Sequence, residues 1–329
     1  MNVLVTGATG FLGQHLTNQL IEQGFSVTAH GRNANIGEQM SRAGVCFVQG
    51  DLTNREATIA ACLEQDYIIH CAAFSSPWGR YREFYRTNVE GTENVLNGAM
   101  KAGVRRFIHV SSPSIYMDYR NRLNIMENET LPANSVNYYA QTKRLAEQKV
   151  DEATKNGLDV VTIRPRAIFG PGDNAILPRI LRASKKGFLP LFNENALVDV
   201  TYVDNVVRAL LSILVAPGWI AGRKYNITNG DPRPIKSILQ LLFDELGLEF
   251  RPIRIPYEVA YSIAAMLEVF HTLIPWVGEP VLTRYSVGVI AKSQTLNIDA
   301  AKIDLGYEPL VSIDEGIKRF AVWWKKHAS

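Results

Sequence analysis

The sequence predicts an α/β protein: a doubly wound parallel sheet with helices on both faces and a smaller, interleaved C-terminal domain. Three observations predict it. Short β-branched runs alternate with stretches of helical period through the first half of the chain. A glycine-rich loop joins the first of these runs to the first helical stretch. The alternation then breaks after Arg164-Pro165, where Pro and Gly recur at 171, 172, 178, 187 and 190.

The elements follow in order. Val3-Leu4-Val5 is a strand, Leu12, Leu16 and Leu20 make one stripe of a helix, and Phe25 to Ala29 is the next strand, which together form a βαβ unit. Further strands are expected at Val45 to Val48, Tyr67 to Cys71, Phe107 to Val110 and Val160 to Ile163, with helices between most of them. Such a sheet is parallel and covered on both faces, and its ligands bind beyond the strand C-termini. Ala196 to Val203 is strand-like and a helix follows from about Asp204 to Val215; the chain ends in an amphipathic helix from about Ile313 to Trp324. Residues 1–167 are therefore expected to form a dinucleotide-binding domain, with sheet contributions from about 196–228; residues 168–195 and 229–329 form the substrate domain and its lid.

Composition narrows the function. The 329 residues are 47% hydrophobic and 20% charged, an ordinary globular mix long enough for about two domains. Lysines and arginines exceed acidic residues by 35 − 32 = 3, which disfavours a nucleic-acid partner. The clusters Arg105-Arg106 and Lys185-Lys186 read as solvated surface. Cys46, Cys62 and Cys71 have neither zinc nor disulfide-framework spacing, no histidine has a partner at metal-ligand spacing, and a reducing, cytoplasmic location is expected. MNVLVTG is a first strand rather than a leader peptide. The most apolar stretch, 256–278, is broken by Glu258, Glu268 and His271 and is no spanning helix.

The loop Thr6-Gly7-Ala8-Thr9-Gly10-Phe11-Leu12-Gly13 lies between a strand and a helix, where glycines let a backbone approach a pyrophosphate seated on the helix N-terminus. This is the Rossmann arrangement, and it makes Gly7, Thr9, Gly10, Phe11, Leu12 and Gly13 cofactor-contact candidates. Enzymes selective for NAD usually carry a carboxylate at the end of the second strand; here Ala29-His30-Gly31-Arg32-Asn33 offers none, and Arg32 suits a 2′-phosphate, so NADP(H) is expected over NAD(H). Asp51 and Leu52 could meet the adenine, and Cys71, Ala72 and Ala73 supply small side chains beside the dinucleotide.

Tyr139 and Lys143 stand four apart on one helix face. A phenol with an ordinary pKa near ~10 is a weak catalyst at neutral pH, and the ammonium is expected to pull it down. Val110-Ser111-Ser112-Pro113-Ser114, at a strand end, provides a hydroxyl for the substrate oxygen, with Ser111, Ser112 and Ser114 as competitors and Tyr138 as a rival of Tyr139.

These stretches, together with GDLTN, HCAAF, TNVEGTENVL, RPRAIFGPGD, VTYVDNV and YNITNG, resemble the extended short-chain dehydrogenase/reductase superfamily along nearly the whole chain. The resemblance implies Ser112, Tyr139 and Lys143 as the catalytic set, Asn88 as a support of the proton network, Gly7, Gly10 and Gly13 as the phosphate loop, Asp51 as the adenine contact, and Pro165, Arg166 and Ala167 beside the nicotinamide. Within the superfamily, AAFSSPWGRYREFYRTNVEGTENVL, RPRAIFGPGDNAILPRIL and LVDVTYVDNV are similar to the 3β-hydroxysteroid dehydrogenase-like branch, especially the bacterial NADPH-dependent 2-alkyl-3-ketoalkanoate reductases of olefin biosynthesis. The segment around Asp118 to Asn134 departs from that branch.

That branch implies a hydrophobic 3-keto or 3-hydroxy substrate. Nucleotide-sugar epimerases and dehydratases are the alternative, but their nucleotide-gripping arginine is replaced here by Val198. A non-catalytic NADP-sensing regulator is a further alternative, which the retained Ser112, Tyr139 and Lys143 disfavour. The aromatic clusters at Phe74, Trp78, Tyr81, Phe84 and Tyr85 and at Tyr257, Tyr261, Met266, Phe270 and Trp276 suit an alkyl or sterol body, or else pack as core. Residues 256–278 form a lid or, alternatively, a helix in contact with a membrane surface. Arg166, Arg179 and Arg182 are candidates for a substrate carboxylate or for structural ion pairs, and His70 and His109 are expected to be packed in place. Related folds often form homodimers through helices that here span about 80–101 and 137–156.

Overall fold

The computed structural model describes residues 1–184 and 188–327, so that Lys185-Lys186 and Gly187 lie outside the described residues. The chain runs β1 (Asn2–Thr6), α1 (Phe11–Glu22), β2 (Ser26–Gly31), α2 (Ala34–Arg42), β3 (Cys46–Gln49), α3 (Arg55–Cys62), β4 (Tyr67–His70), α4 (Tyr81–Tyr85), α5 (Gly91–Ala102) and β5 (Arg106–Val110). It continues through β6 (Arg122–Ile125), α6 (Tyr138–Lys155), β7 (Val160–Pro165), β8 (Ile168–Phe169), α7 (Leu177–Ala183), β9 (Phe188–Leu191), β10 (Leu197–Val198), β11 (Thr201–Tyr202), α8 (Val203–Val215) and β12 (Lys224–Ile227). The last part holds β13 (Arg233–Pro234), α9 (Ile235–Leu246), β14 (Arg251–Arg254), α10 (Tyr257–Leu273), α11 (Arg284–Ala291), β15 (Gln294–Leu296), α12 (Asp299–Leu305) and α13 (Ile313–His327).

The main sheet has seven parallel strands in the order β12-β7-β5-β4-β1-β2-β3. Its order reverses between β1 and β4, which opens the ligand crevice at their C-terminal ends. Alternate residues of the buried strands feed two cores. Val3, Val5, Ile69 and Ile108 face α1 and α8. Leu4, Ile68 and Phe107 face α3, α5 and α6. This period of two is why central strands read as continuous apolar runs.

Four expectations need correction. Of the stretch 196–228 only β12 joins the main sheet. The single strand expected at Ala196 to Val203 is broken at Asp199, whose carboxylate accepts the Leu296 N–H at 2.7 Å, so β10 and β11 enter two separate small sheets. The helix expected over about 80–101 is interrupted by a π-helical turn at Arg86–Glu90. Arg106 is not solvated: it is buried, forks onto Asp159 at 3.0 and 2.8 Å, and donates to the Ile213 and Ala216 carbonyls at the end of α8. Arg105, in contrast, is exposed beside Asp66 at 3.3 Å.

The departing segment 118–134 supplies β6, which pairs with β15 and so ties the loop after β5 to the C-terminal part. Among the described residues no helix is long and apolar enough to cross a membrane.

Candidate active site

The glycine loop is tight because its neighbours leave no room. Gly7 has φ +70°, and a Cβ there would lie 2.8 Å from the Ala72 backbone; one on Gly13 would lie 2.2 Å from the Gly7 carbonyl. α1 starts at Gly10 with no side-chain cap and no acidic residue in its first turn. Its first N–H groups are thus left for an anion, at the positive end of the helix. Thr9 closes over Gly31, whose Cβ would sit 2.5 Å from the threonine hydroxyl. Phe11 packs edge-on to His15, and Leu12 turns into the core. This cradle fits a dinucleotide pyrophosphate.

Arg32 is exposed at the end of β2, while the next residue, Asn33, is committed to capping α2. The Asp51 carboxylate accepts the Thr53 N–H at 2.9 Å; that bond, with Arg32 and Arg86 nearby, holds its pKa down. Leu52 is buried, its carbonyl holding Asn94 at 2.8 Å. Cys71, Ala72 and Ala73 follow β4, and burial pushes the Cys71 thiol up to about 12, so it stays protonated. Pro165 ends β7, and Ala167 takes a left-handed φ of +45°. Such strain in a non-glycine residue gathers at ligand-binding sites.

The three serines sort themselves by geometry. Ser111 Oγ donates to Glu147 Oε1 at 2.6 Å, away from the crevice. Ser114 Oγ is buried without a partner among the described residues. Ser112 Oγ accepts the Ser114 N–H at 3.2 Å and faces the Tyr139 phenol, as does Ser75. Tyr138, the rival phenol, is 49% exposed and packs edge-on to Tyr81.

Lys143 is buried and its Nζ donates to the Val110 carbonyl at 2.7 Å; burial draws its pKa down to about 8, with Glu147 and Cys71 opposing. The expected lowering of the Tyr139 pKa by Lys143 is not found. Burial raises it, and the counteracting groups are Ser112 and Ser75. The ammonium is occupied at the strand end, and desolvation of the phenolate prevails.

Asn88 lies in the π-helical turn, a frequent distortion at functional sites. Its Oδ1 accepts the Phe74 N–H at 2.7 Å; its Nδ2 donates to the Phe74 carbonyl at 3.1 Å and to Thr142 Oγ1 at 3.0 Å. It thereby pins the Ser75 loop to the start of α6. His70 is held between the Thr6 and Thr92 hydroxyls at 2.7 and 2.9 Å, and burial pushes it down to about 3. His109 is buried and stacked on it at 5.6 Å. Both are packed in place as neutral imidazoles.

Ser75 and Tyr285 went unnoticed in the sequence. Ser75 stands one residue beyond the Asn88 contact. Tyr285 reaches the crevice from α11, and its pKa, raised by burial, is raised further by Tyr139 and opposed by Arg166. In the first aromatic cluster Phe84 is buried against Phe74 at 4.6 Å, Phe74, Trp78 and Tyr85 are half-buried, and Tyr81 is exposed. In α10, Ala260 and Ala264 pack on Val287 and Ala291 of α11, while Met266 and Phe270 face outward, as does Trp276 just beyond the helix. Arg179 is exposed and paired with Glu279 at 3.2 Å, and Arg182 is exposed; Arg166 alone of the three is buried.

Residues 3–228 match the NAD dependent epimerase/dehydratase family. The chain is 35% identical over 330 residues to 2-alkyl-3-oxoalkanoate reductase of Stenotrophomonas maltophilia (strain K279a), covering 97% of this chain and 98% of that protein. It is 32% identical over 325 residues to the decarboxylating sterol-4-alpha-carboxylate 3-dehydrogenase of Mus musculus, covering 96% and 88%. Its fold matches UDP-glucuronic acid 4-epimerase from Bacillus cereus in complex with NAD, with a TM-score of 0.79 at 21% identity over 99% of each chain.

Proposed function

The chain belongs to the NAD dependent epimerase/dehydratase family, the extended short-chain dehydrogenases/reductases that act on CH–OH groups with NAD(P), and from that premise we propose that it is an NADP(H)-dependent oxidoreductase interconverting a secondary alcohol and a ketone on a hydrophobic substrate. The substrate is a 2-alkyl-3-ketoalkanoic acid or a 3β-hydroxysteroid. The observation that carries this reading is the meeting of Ser112 and Tyr139, with Lys143 one turn along α6 and its Nζ on the Val110 carbonyl at the end of β5.

The dinucleotide, when bound, supplies or accepts the hydride. Gly7, Thr9, Gly10, Phe11, Leu12 and Gly13 would hold its pyrophosphate, Asp51 and Leu52 its adenine end, and Cys71, Ala72, Ala73, Pro165 and Ala167 its nicotinamide side. Arg32, exposed where NAD-selective chains carry a carboxylate, would take a 2′-phosphate through its fork of donors, hence the preference for NADP(H). Ser112 holds the substrate oxygen. Tyr139 donates its proton to that oxygen in reduction; burial keeps the phenol protonated, the form that direction needs. Lys143 orients the nicotinamide ribose hydroxyls, and Asn88 positions α6 against the Ser75 loop.

Both relatives' names combine an oxygen function at position 3 with a carboxylate. A nucleotide sugar fits less well, because Val198 is apolar and buried where a diphosphate would need a cation. Residues 1–167 with β12 form the cofactor domain, and 168–195 with 229–329 the substrate domain. In this reading α10, backed by α11, is the lid. The competing reading, a helix that collects lipid-like substrate at a membrane surface, rests on its outer stripe, where Met266 is 64% exposed, and on Trp276 just beyond it, 85% exposed. A homodimer through the α5 and α6 face belongs to the same proposal, as does a cytoplasmic location.

The test is nicotinamide absorbance with NADPH and NADH against a 2-alkyl-3-ketoacid, a 3-ketosteroid and a nucleotide sugar. Ketoacid or steroid reduction with NADPH preferred is expected. Tyr139→Phe should cut turnover about 10²- to 10⁴-fold while nucleotide binding persists. Retained turnover in that variant would sink the role of Tyr139; nucleotide binding without turnover of any of the three would favour a sensor.

A further inference from the structure

Arg164 and Arg166 lie two residues apart at the end of β7 and both are buried, yet their surroundings are opposite. Arg164 is saturated: Nε and Nη2 donate to the two Glu147 oxygens at 2.9 and 2.6 Å, and Nη1 to the Glu127 carbonyl at 3.1 Å. Arg166 is 6% exposed, donates from Nη1 to Gln294 Oε1, and leaves Nε without a partner among the described residues. Asp199 acts on it electrostatically but is itself bonded to the Leu296 N–H at 2.7 Å. A buried guanidinium with a free donor is costly unless an anion completes it.

The place of this cation matters as much as its state. Arg166 directly follows Pro165, and its carbonyl is fixed by Thr201 Oγ1 at 2.6 Å, so the residue is anchored at the strand end. The Tyr285 phenol from α11 lies near enough to sense both Arg166 and the Tyr139 phenol. β7 pairs with β5 with Ile163 opposite Val110, so Arg166 and Ser112 leave neighbouring strand ends, and the free donor lies at the end of the sheet that carries the candidate site. A fork of donors so placed matches a carboxylate.

We propose that Arg166, held by Gln294 and assisted by the Tyr285 phenol, binds a substrate carboxylate, which makes a free 3-oxo or 3-hydroxy acid the preferred substrate. This rests on the carbonyl-reductase reading above and narrows it: a neutral sterol ketone or an ester leaves the Arg166 Nε donor without an anionic acceptor, and the site discriminates against it.

The experiment compares ligands on the unmodified protein as well as variants. With NADPH, a 2-alkyl-3-oxoalkanoic acid and its methyl ester are assayed side by side. The acid should be favoured in kcat/KM by about tenfold or more, and Arg166→Gln should abolish that preference through KM, raising KM for the acid about 30- to 100-fold. Tyr285→Phe should reduce the preference less. In parallel, calorimetry with the NADP⁺-loaded protein measures binding of a saturated 2-alkylalkanoic acid, which has no oxo group, and of its methyl ester. Tighter binding of the acid, lost in Arg166→Gln, supports the anchor whether or not any ketone is reduced; should no ketoacid be reduced even so, only the reductase reading falls. Equal binding of acid and ester, or a preference that survives Arg166→Gln, overturns the anchor.

Discussion

Lys143 carries its charge into an environment that disfavours it, and its value to the site depends on keeping that charge. Burial draws it down to about 8, against an unfolded-chain value near 10.5. The unfolded state therefore binds the additional proton between those two pH values, so the cost of burying the ammonium is present below about 8 and is relieved as pH rises through that window. Activity runs the other way. With the cation orienting the ribose, log kcat/KM should be level below pH 8 and fall with unit slope above it, and Lys143→Arg should remove that limb, because a guanidinium stays charged. A pH profile of both proteins decides; an unchanged limb in the variant would assign it to another group.

At the scale of elements, the local motifs were legible and the long-range partnerships were not. The glycine loop and the Tyr139–Lys143 pair are read from spacing alone, since strand, turn and helix fix their relative positions within a few residues. Arg166 is held by Gln294, 128 residues away, so the chain order holds no trace of that contact. Arg106 looked like half of a surface pair because its neighbours in sequence say nothing of Asp159 or the end of α8. The strand expected at Ala196 to Val203 splits because Asp199 bonds across to β15. α11 shows the same dependence in its seating. A Cβ on Gly288 would lie 2.7 Å from the Tyr119 ring and 2.8 Å from Met117, in the loop that follows Ser112. Gly288→Val should force α11 outward, costing roughly 1–3 kcal/mol and carrying Tyr285 out of the crevice. Gly218→Ala, where nothing lies within 4 Å, is the control and should be neutral. Thermal unfolding and acid-over-ester selectivity measured together would show whether stability and selectivity fall jointly, as one displaced helix requires.

Over the whole molecule, one carboxylate joins α6 to the far side of the sheet. Glu147, one turn after Lys143 on α6, accepts from Ser111 beyond β5, from Arg164 of β7 and from Lys224 of β12 at 3.3 Å. β12 enters the sheet only after the chain has passed through β8 to α8, so this hub closes a long excursion onto the cofactor half. Burial by itself would raise the Glu147 carboxyl, but Arg164, Lys224 and Ser111 hold it down to about 2, below its ordinary value of 4.5. A carboxyl held down in the folded state contributes stability that is complete above the unfolded value and is lost as pH falls from about 4.5 towards 2. Replacing it leaves the Arg164 charge buried without its partner, a change that typically costs about 3–5 kcal/mol. Glu147→Gln should therefore unfold at markedly lower urea at pH 7, and the gap from the wild type should narrow as both are titrated to acid, because protonation removes the charge the variant already lacks. Urea titrations at pH 7, 5 and 3 test this; a gap constant across the three would mean that packing, not charge, gives Glu147 its hold on the sheet.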